Sequence, residues 1–243
     1  HMLGALTLQS QVSVTNFVLS EKMRYCANHR QTKEQKPVTS GDAVKPKAKY
    51  HHGDLRETLV QASYDLVAEH GAENFSLADA CRLAGVSTAA PYKHFRDRDE
   101  VLGLVVKRGF DEMSSLSMAA VEKVGVGTLA GITAMGKAYV RFAVENQRVF
   151  RLMFGQHPVL KKEVGVVDEG MGCFSKVIEQ VAIYCERNGV RGDPMTIAVR
   201  LWTFVHGASS LLIDQDYAAV APDLDVEAML EETTPLLLSG PLP

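Results

Sequence analysis

The chain is expected to fold as an all-α protein, and three observations carry that expectation. From Asp54 onward, apolar residues recur at helical spacing in one segment after another. No stretch alternates apolar and polar residues as a half-buried strand does. The periodic segments are interrupted only by short Gly- or Pro-containing breaks: "GVG" at 125–127, "GQHP" at 155–158, "RNGVRGDP" at 187–194 and "VAPD" at 220–223. With 243 residues and 46% apolar content, the chain can fill a core for one large domain or two smaller ones.

Residues 1–45 show no sustained period and run into "KPVTSGDAVKPKAK", rich in Lys, Pro and small residues. This composition reads as a flexible extension. Its lysines (Lys45, Lys47, Lys49), with His51 just beyond, could lie along a phosphate backbone. The first helix is expected over 54–70: Leu55, Leu59, Ala62 and Leu66 share a face, Asp54 and Glu57 have capping-box spacing, and Gly71 supplies a stop. A second, short helix begins after Ser76, which stands at capping distance from Asp79. It turns Leu77, Ala80, Cys81 and Ala84 inward and ends at Gly85. Beyond Arg98, helices are expected over 98–121, 128–145, 147–154, 167–189, 194–216 and 225–238.

The stretch "GVSTAAPYKHF" (85–95) decides what the first part is for. Two short helices joined by a few residues that include Gly form a helix-turn-helix, whose second helix enters the DNA major groove. With Ser87 or Thr88 as N-cap, that helix spans about 88–94. Pro91 then occupies its third or fourth position, tolerable only because the helix is short. Thr88, Ala89 and Ala90 form a small leading face that lets the backbone approach base edges. Tyr92, Lys93 and Ser76 are candidate phosphate contacts, which position without reading sequence. His94 contacts phosphate or caps the helix, Phe95 turns into the core, and Arg98 follows. The expected organisation is an extension (1–45), a three-helix DNA-binding domain (46–97) and a helical domain (98–243).

Charge and composition narrow the alternatives. Residues 1–108 carry 15 Lys or Arg against 12 Asp or Glu, and the remainder 11 against 17, so the net charge of −3 hides a mildly basic first part. That asymmetry suits an anionic partner at one end. None of the four cysteines forms a Cys-x-x-Cys pair, so neither a metal nor a disulfide framework is expected. "GVGTLA" at 125–130 matches a dinucleotide-binding pattern but follows a charged helical segment rather than a buried strand. No cofactor is expected. The opening residues carry no basic region followed by an apolar block, and no apolar run reaches membrane-spanning length. A cytoplasmic protein without a membrane partner is therefore expected.

The residues carry a resemblance. "FSLADACRLAGVSTAAPYKHFRDRDEVL" resembles the DNA-binding segment of the TetR family of transcriptional regulators, through Ala84-Gly85-Val86-Ser87, Tyr92, His94-Phe95 and Arg98. "YHHGDLRETLVQAS", "RVFRLMFG" and "LWTFVHGASSLL" are similar to one branch of that family, the last through Trp202, His206 and Gly207. The resemblance covers about 46–240. Pro91 departs from the commoner Leu, and Ala80 and Cys81 from a larger aliphatic residue followed by Ala.

The resemblance implies a helical effector-binding and dimerisation domain after the DNA-binding one. Candidate effector contacts are Phe110, Met113, Tyr139, Phe142, Phe150, Met153, Met171, Phe174, Trp202 and His206, since such cavities are mostly apolar with few polar groups. Trp202 and His206 lie four apart on one helix face. "TIAVRLWTFVHGASSLLI", with its small-residue patch 207–210, and "VEAMLEETTPLLL" resemble the family's dimer interface. The implied function is a repressor of pseudo-palindromic operators, a homodimer on double-stranded DNA, released by a small apolar or amphipathic effector. The helix that starts near Arg98 would then link pocket to DNA. The alternative is an enzyme or carrier for an apolar molecule, although no Ser/His/Asp order or carboxylate pair supports catalysis.

Overall fold

The computed structural model describes residues 52–155 and 165–239. Lys47, Lys49 and His51 lie outside the described residues, as do most of the "GQHP" break and the extension before residue 52. Among the described residues, all regular structure is helical: α1 (His52–His70), α2 (Leu77–Ala84), a 3-10 turn (Pro91–Lys93), α3 (Arg98–Val124), α4 (Leu129–Glu145), α5 (Gln147–Phe154), α6 (Val166–Asn188), α7 (Pro194–Ile213), α8 (Asp216–Val220) and α9 (Val226–Leu238).

Local chemistry sets most of these boundaries. The first turn of a helix leaves backbone N–H groups without partners, and a preceding Ser, Thr or Asp side chain can accept from one of them. Ser76 accepts from Asp79 N at 3.2 Å, Thr128 from Gly131 N at 3.0 Å, Asp193 from Thr196 N at 2.9 Å and Asp225 from Ala228 N at 3.0 Å. Asp97 starts α3 in the same way, accepting from Glu100 N at 2.8 Å, while Glu100 Oε2 reaches back to Arg96 N at 2.7 Å. At the other end of α2, Gly85 adopts φ 68°, and Val86 N closes onto Cys81 O at 2.9 Å.

Four differences from the sequence expectation exceed one residue. Helix α1 begins two residues before Asp54, which is therefore inside the helix and not its cap. Helix α3 continues to Val124 because its stop is Gly125, at φ 128°. The helix expected over 194–216 ends at Ile213: Gln215 takes a left-handed φ of 63°, after which the chain restarts as α8. The fourth difference, at 88–94, falls in the segment expected to enter the major groove and is described below.

One apolar cluster runs without interruption from the first helices into the rest of the chain. Leu59, Val67, Phe75, Cys81 and Phe95 share it with Val101, Val105, Phe110, Tyr139, Phe142 and Phe150. The small residues of α2 do not leave it open, since Ala80 and Cys81 are both fully buried. A second cluster, with Ile132, Val181, Ile197, Ala198 and Leu238, joins α4, α6, α7 and α9. Helix α7 is long and apolar enough, by length and composition, to cross a membrane. It is instead packed on α4, α6 and α9 along one side, while Val199, Trp202 and Leu211 remain exposed.

Candidate DNA interface and ring cluster

The segment after Gly85 does not form the expected α-helix over 88–94. It is a succession of tight turns: Ala90 N bonds Ser87 O at 3.0 Å, Lys93 N bonds Ala90 O at 3.3 Å, and His94 N bonds Pro91 O at 2.8 Å. Pro91 is the reason. It has no N–H to donate, and in an α-helix its ring would strike the carbonyl four residues back. A 3-10 turn that starts at Pro91 puts the missing donor where none is needed. Ala90, at φ −62° and ψ −42°, already follows a helical path into it.

This turn brings together most of the predicted DNA contacts. Thr88, Ala89, Tyr92 and Lys93 are exposed, Tyr92 to 72%, whereas Ala90 and His94 are half-buried. The turn is held from below by Pro91 and Phe95, both buried, and the Arg56 guanidinium lies 5.4 Å from the Phe95 ring centre. Ser76 is committed to its cap: besides accepting from Asp79 N, its hydroxyl donates to Asp79 Oδ2 at 2.5 Å.

Arg98 is placed differently from the other candidates. Its Nε donates to Phe75 O at 3.2 Å, Nη2 donates to Ala72 O, and the guanidinium lies over the Phe75 ring at 5.7 Å. It ties the start of α3 to the α1–α2 loop. A second arginine completes the same region. The last four carbonyls of a helix lack intrahelical partners, and in α1 all four are satisfied. Val67 O accepts from Gly71 N at 2.9 Å, His70 O accepts from Asn74 Nδ2 at 2.9 Å, and Arg148 Nη1 donates to both Ala68 O and Glu69 O. Sequence reasoning noted Arg148 only as part of a motif. No local pattern could reveal bonds that span about eighty residues.

The effector candidates converge on His206, in α7. The ring centres of Phe154, Phe150, Trp202 and Tyr139 lie 4.9, 5.4, 5.7 and 6.5 Å from its own. Phe110 meets Phe154 edge-on at 5.6 Å, and Phe174 meets Trp202 at 5.7 Å. Polar contacts inside this ring cluster include the 2.9 Å hydrogen bond between Tyr139 Oη and His206 Nδ1, and Trp202 also hydrogen-bonds the Tyr139 hydroxyl. Burial pushes the His206 pKa down and the Tyr139 pKa up, so both groups are neutral near pH 7. The direction of that bond follows the tautomer: a hydroxyl that donates to Nδ1 requires the imidazole proton on Nε2, and the other tautomer reverses it.

Four other candidates stand apart from the rings. Phe142 is fully buried and Met113 nearly so; both are core residues. Met171 is half-buried on α6. Met153 packs against α3, where a Cβ added at Gly109 would come within 2.6 Å of its sulfur. Phe154, absent from the expected contacts, is central to the cluster. Its signal was present in the sequence, four residues after Phe150 on one helix face.

A domain of this shape, with a helix-turn-helix on a helical body, has known relatives. The family model "Bacterial regulatory proteins, tetR family" matches residues 59–105, and "Tetracyclin repressor-like, C-terminal domain" matches residues 132–235. The chain belongs to the TetR family. It is a DNA-binding transcriptional regulator with a helical C-terminal domain. Among solved structures, this regulator is similar to a protein of unknown function from Rhodococcus sp. RHA1, with 28% identity, 78% of this chain and 96% of that one covered, and a TM-score of 0.66. It also shares the fold of a Rhodococcus sp. protein described as a TetR-family transcriptional regulator (18% identity, 77% and 100% covered, TM-score 0.62). A Mesorhizobium loti protein of the same description shares it too (17% identity, 78% and 96% covered, TM-score 0.57). No curated protein matches the regulator by sequence.

Proposed function

We propose that the regulator is a cytoplasmic homodimeric repressor, released from its operator when a small apolar or amphipathic molecule enters the ring cluster around His206. One observation carries this reading: the cluster is built on helices that also hold the DNA-reading domain. Phe110 is on α3, whose start Arg98 ties to the α1–α2 loop. Phe150 and Phe154 are on α5, whose Arg148 holds the end of α1. An occupant that spreads the rings must shift one of these helices. It can loosen DNA binding only if it favours the shifted state.

In this reading Thr88 and Ala89 meet base edges, while Tyr92 and Lys93 meet phosphates. The exposed apolar residues of α7 (Val199, Trp202, Leu211) and Leu236 of α9, 70% exposed, form the face that pairs two copies. The two-fold symmetry of that pair gives a pseudo-palindromic operator.

The test is fluorescence anisotropy on DNA from upstream of the chain's own coding region, against scrambled DNA, over a salt series. Sequence-preferring binding that a panel of apolar and amphipathic compounds weakens is the expected result. Tight operator binding that no compound shifts, with Phe154→Ala equally indifferent, would sink the effector part. Sedimentation velocity at micromolar concentration tests the dimer, and a monomer would reject it.

A further inference from the structure

We infer, on the effector reading given above, that the ring cluster takes an uncharged molecule bearing a carbonyl-type acceptor, which His206 holds through its Nε2–H. Three side chains form a series of hydrogen bonds that ends on this atom. Trp202 hydrogen-bonds the Tyr139 hydroxyl, and that hydroxyl lies 2.9 Å from His206 Nδ1. An indole N–H only donates, so Tyr139 Oη accepts from Trp202. The phenol still has its own hydrogen to place. Were Nδ1 protonated, Oη would accept twice, and the hydrogen of this buried tyrosine would have no acceptor among the described residues. Donation to Nδ1 satisfies every atom of the series and leaves the imidazole proton on Nε2.

Nε2 itself has no partner among the described residues. It is not sealed in either, since among those residues Arg200 Nε is the one buried side-chain nitrogen or oxygen left unbonded. Around the imidazole stand the rings of Phe154, Phe150 and Trp202, with centres 4.9, 5.4 and 5.7 Å away. A single donor set in an apolar wall is what fixes the orientation of an apolar ligand. The surroundings also select against charge. Besides each other, the groups that bear on Tyr139 and His206 are Trp202 and Cys173, whose thiol is kept protonated by burial. Neither is charged, and the Lys176 ammonium is engaged with Ser114 Oγ at 2.6 Å. A carboxylate or ammonium headgroup would lose its water there without gaining an opposite charge. A carbonyl oxygen, which only accepts, matches the one group offered.

Heteronuclear NMR of the full chain with nitrogen-labelled histidine reads the tautomer with no ligand present. Near neutral pH the His206 signal, identified by its loss in His206→Phe, should show a bare Nδ1 and a protonated Nε2. Binding is then measured by titration calorimetry with a series of alkyl phenyl ketones and the alkylbenzenes that carry CH2 in place of C=O. The preference for ketone over hydrocarbon should fall about five- to tenfold in His206→Phe, which keeps a ring but removes the donor. Comparing the two proteins cancels the difference in hydrophobicity between the probes. His206→Leu takes the place of this variant if it does not fold. Phenylalkanoates and phenylalkylamines of matched length should bind at least about tenfold more weakly than the ketones. Ketones that do not bind, a preference unchanged in the variant, a proton on Nδ1, or charged analogues that bind as tightly would each overturn the proposal. Failure of the effector reading is a different result: the ketones bind with the expected preference, yet operator affinity does not move.

Discussion

The DNA-reading turn and the ring cluster are both candidate sites, yet they are built in opposite ways. At the turn the functional side chains point outward and two buried residues, Pro91 and Phe95, do the holding. In the cluster the candidates for binding are themselves much of the packing: Tyr139, Phe150 and Phe110 are all buried. Contact and support are separate residues in the first and the same residues in the second. Substitutions at the turn should therefore change binding with little effect on stability, whereas those near the cluster should change both.

The sharpest contrast comes from Phe142, whose side chain is fully buried among the helices that carry the rings. Phe142→Ala should destabilise the fold by about 3–5 kcal/mol in urea unfolding. A cost below about 1 kcal/mol would mean that this core collapses around the gap, and would blur the distinction. Arg98→Ala comes next. It removes two hydrogen bonds to carbonyls, and because its side chain is 42% exposed, the cost is discounted to about 1–2 kcal/mol. It also decides which of the two sites Arg98 serves. A positioning residue weakens operator binding without altering its salt dependence, whereas a phosphate contact lowers the salt slope by about 1.

A smaller effect is expected from pH. Burial depresses the His206 pKa, so the unfolded chain takes up the imidazole proton more readily than the folded one. Folding stability is thus highest above the unfolded value of about 6.5 and falls as pH drops through it towards the folded pKa. Melting temperatures should decline on acidification in the parent protein, and less steeply in His206→Gln. Equal slopes would show that His206 titrates as freely as an exposed residue. At the far end of the scale, Tyr92→Ala with Lys93→Ala should alter unfolding free energy by no more than about 0.5 kcal/mol. The same pair should weaken binding to all DNA sequences and flatten the salt dependence; unchanged binding would reject those phosphate contacts.

The parts of the molecule legible in the sequence were those governed by neighbours. Ser76 starts a helix with its own side chain and Gly85 ends it through its left-handed φ; spacing alone reveals both, although the same spacing at Asp54 falls inside α1. The 3-10 form of the reading turn was half visible, because Pro91 signalled a conflict that only the fold resolved. The left-handed Gln215 has no such local signal, so the end of α7 was missed. Arg98 and Arg148 were harder still. Their partners lie more than twenty and about eighty residues away, and an exposed-looking arginine in a basic segment suggests DNA rather than a helix end. Periodicity likewise collected the aromatic residues but could not say that Phe154 would face His206 or that Phe142 would not.

The shortness of the reading turn bears on how an address is found in a genome. If Thr88 and Ala89 are what meets base edges, one copy examines very few base pairs. A wrong base pair costs about 1–3 kcal/mol, while a genome offers roughly 10⁶–10⁹ competing positions. So little text cannot single out one address. The rest must come from a second copy reading the other half, or from stretches of duplex recognised by how easily they bend. Operators for such a tip should therefore tolerate substitutions at many positions and fail abruptly when the spacing between halves is changed.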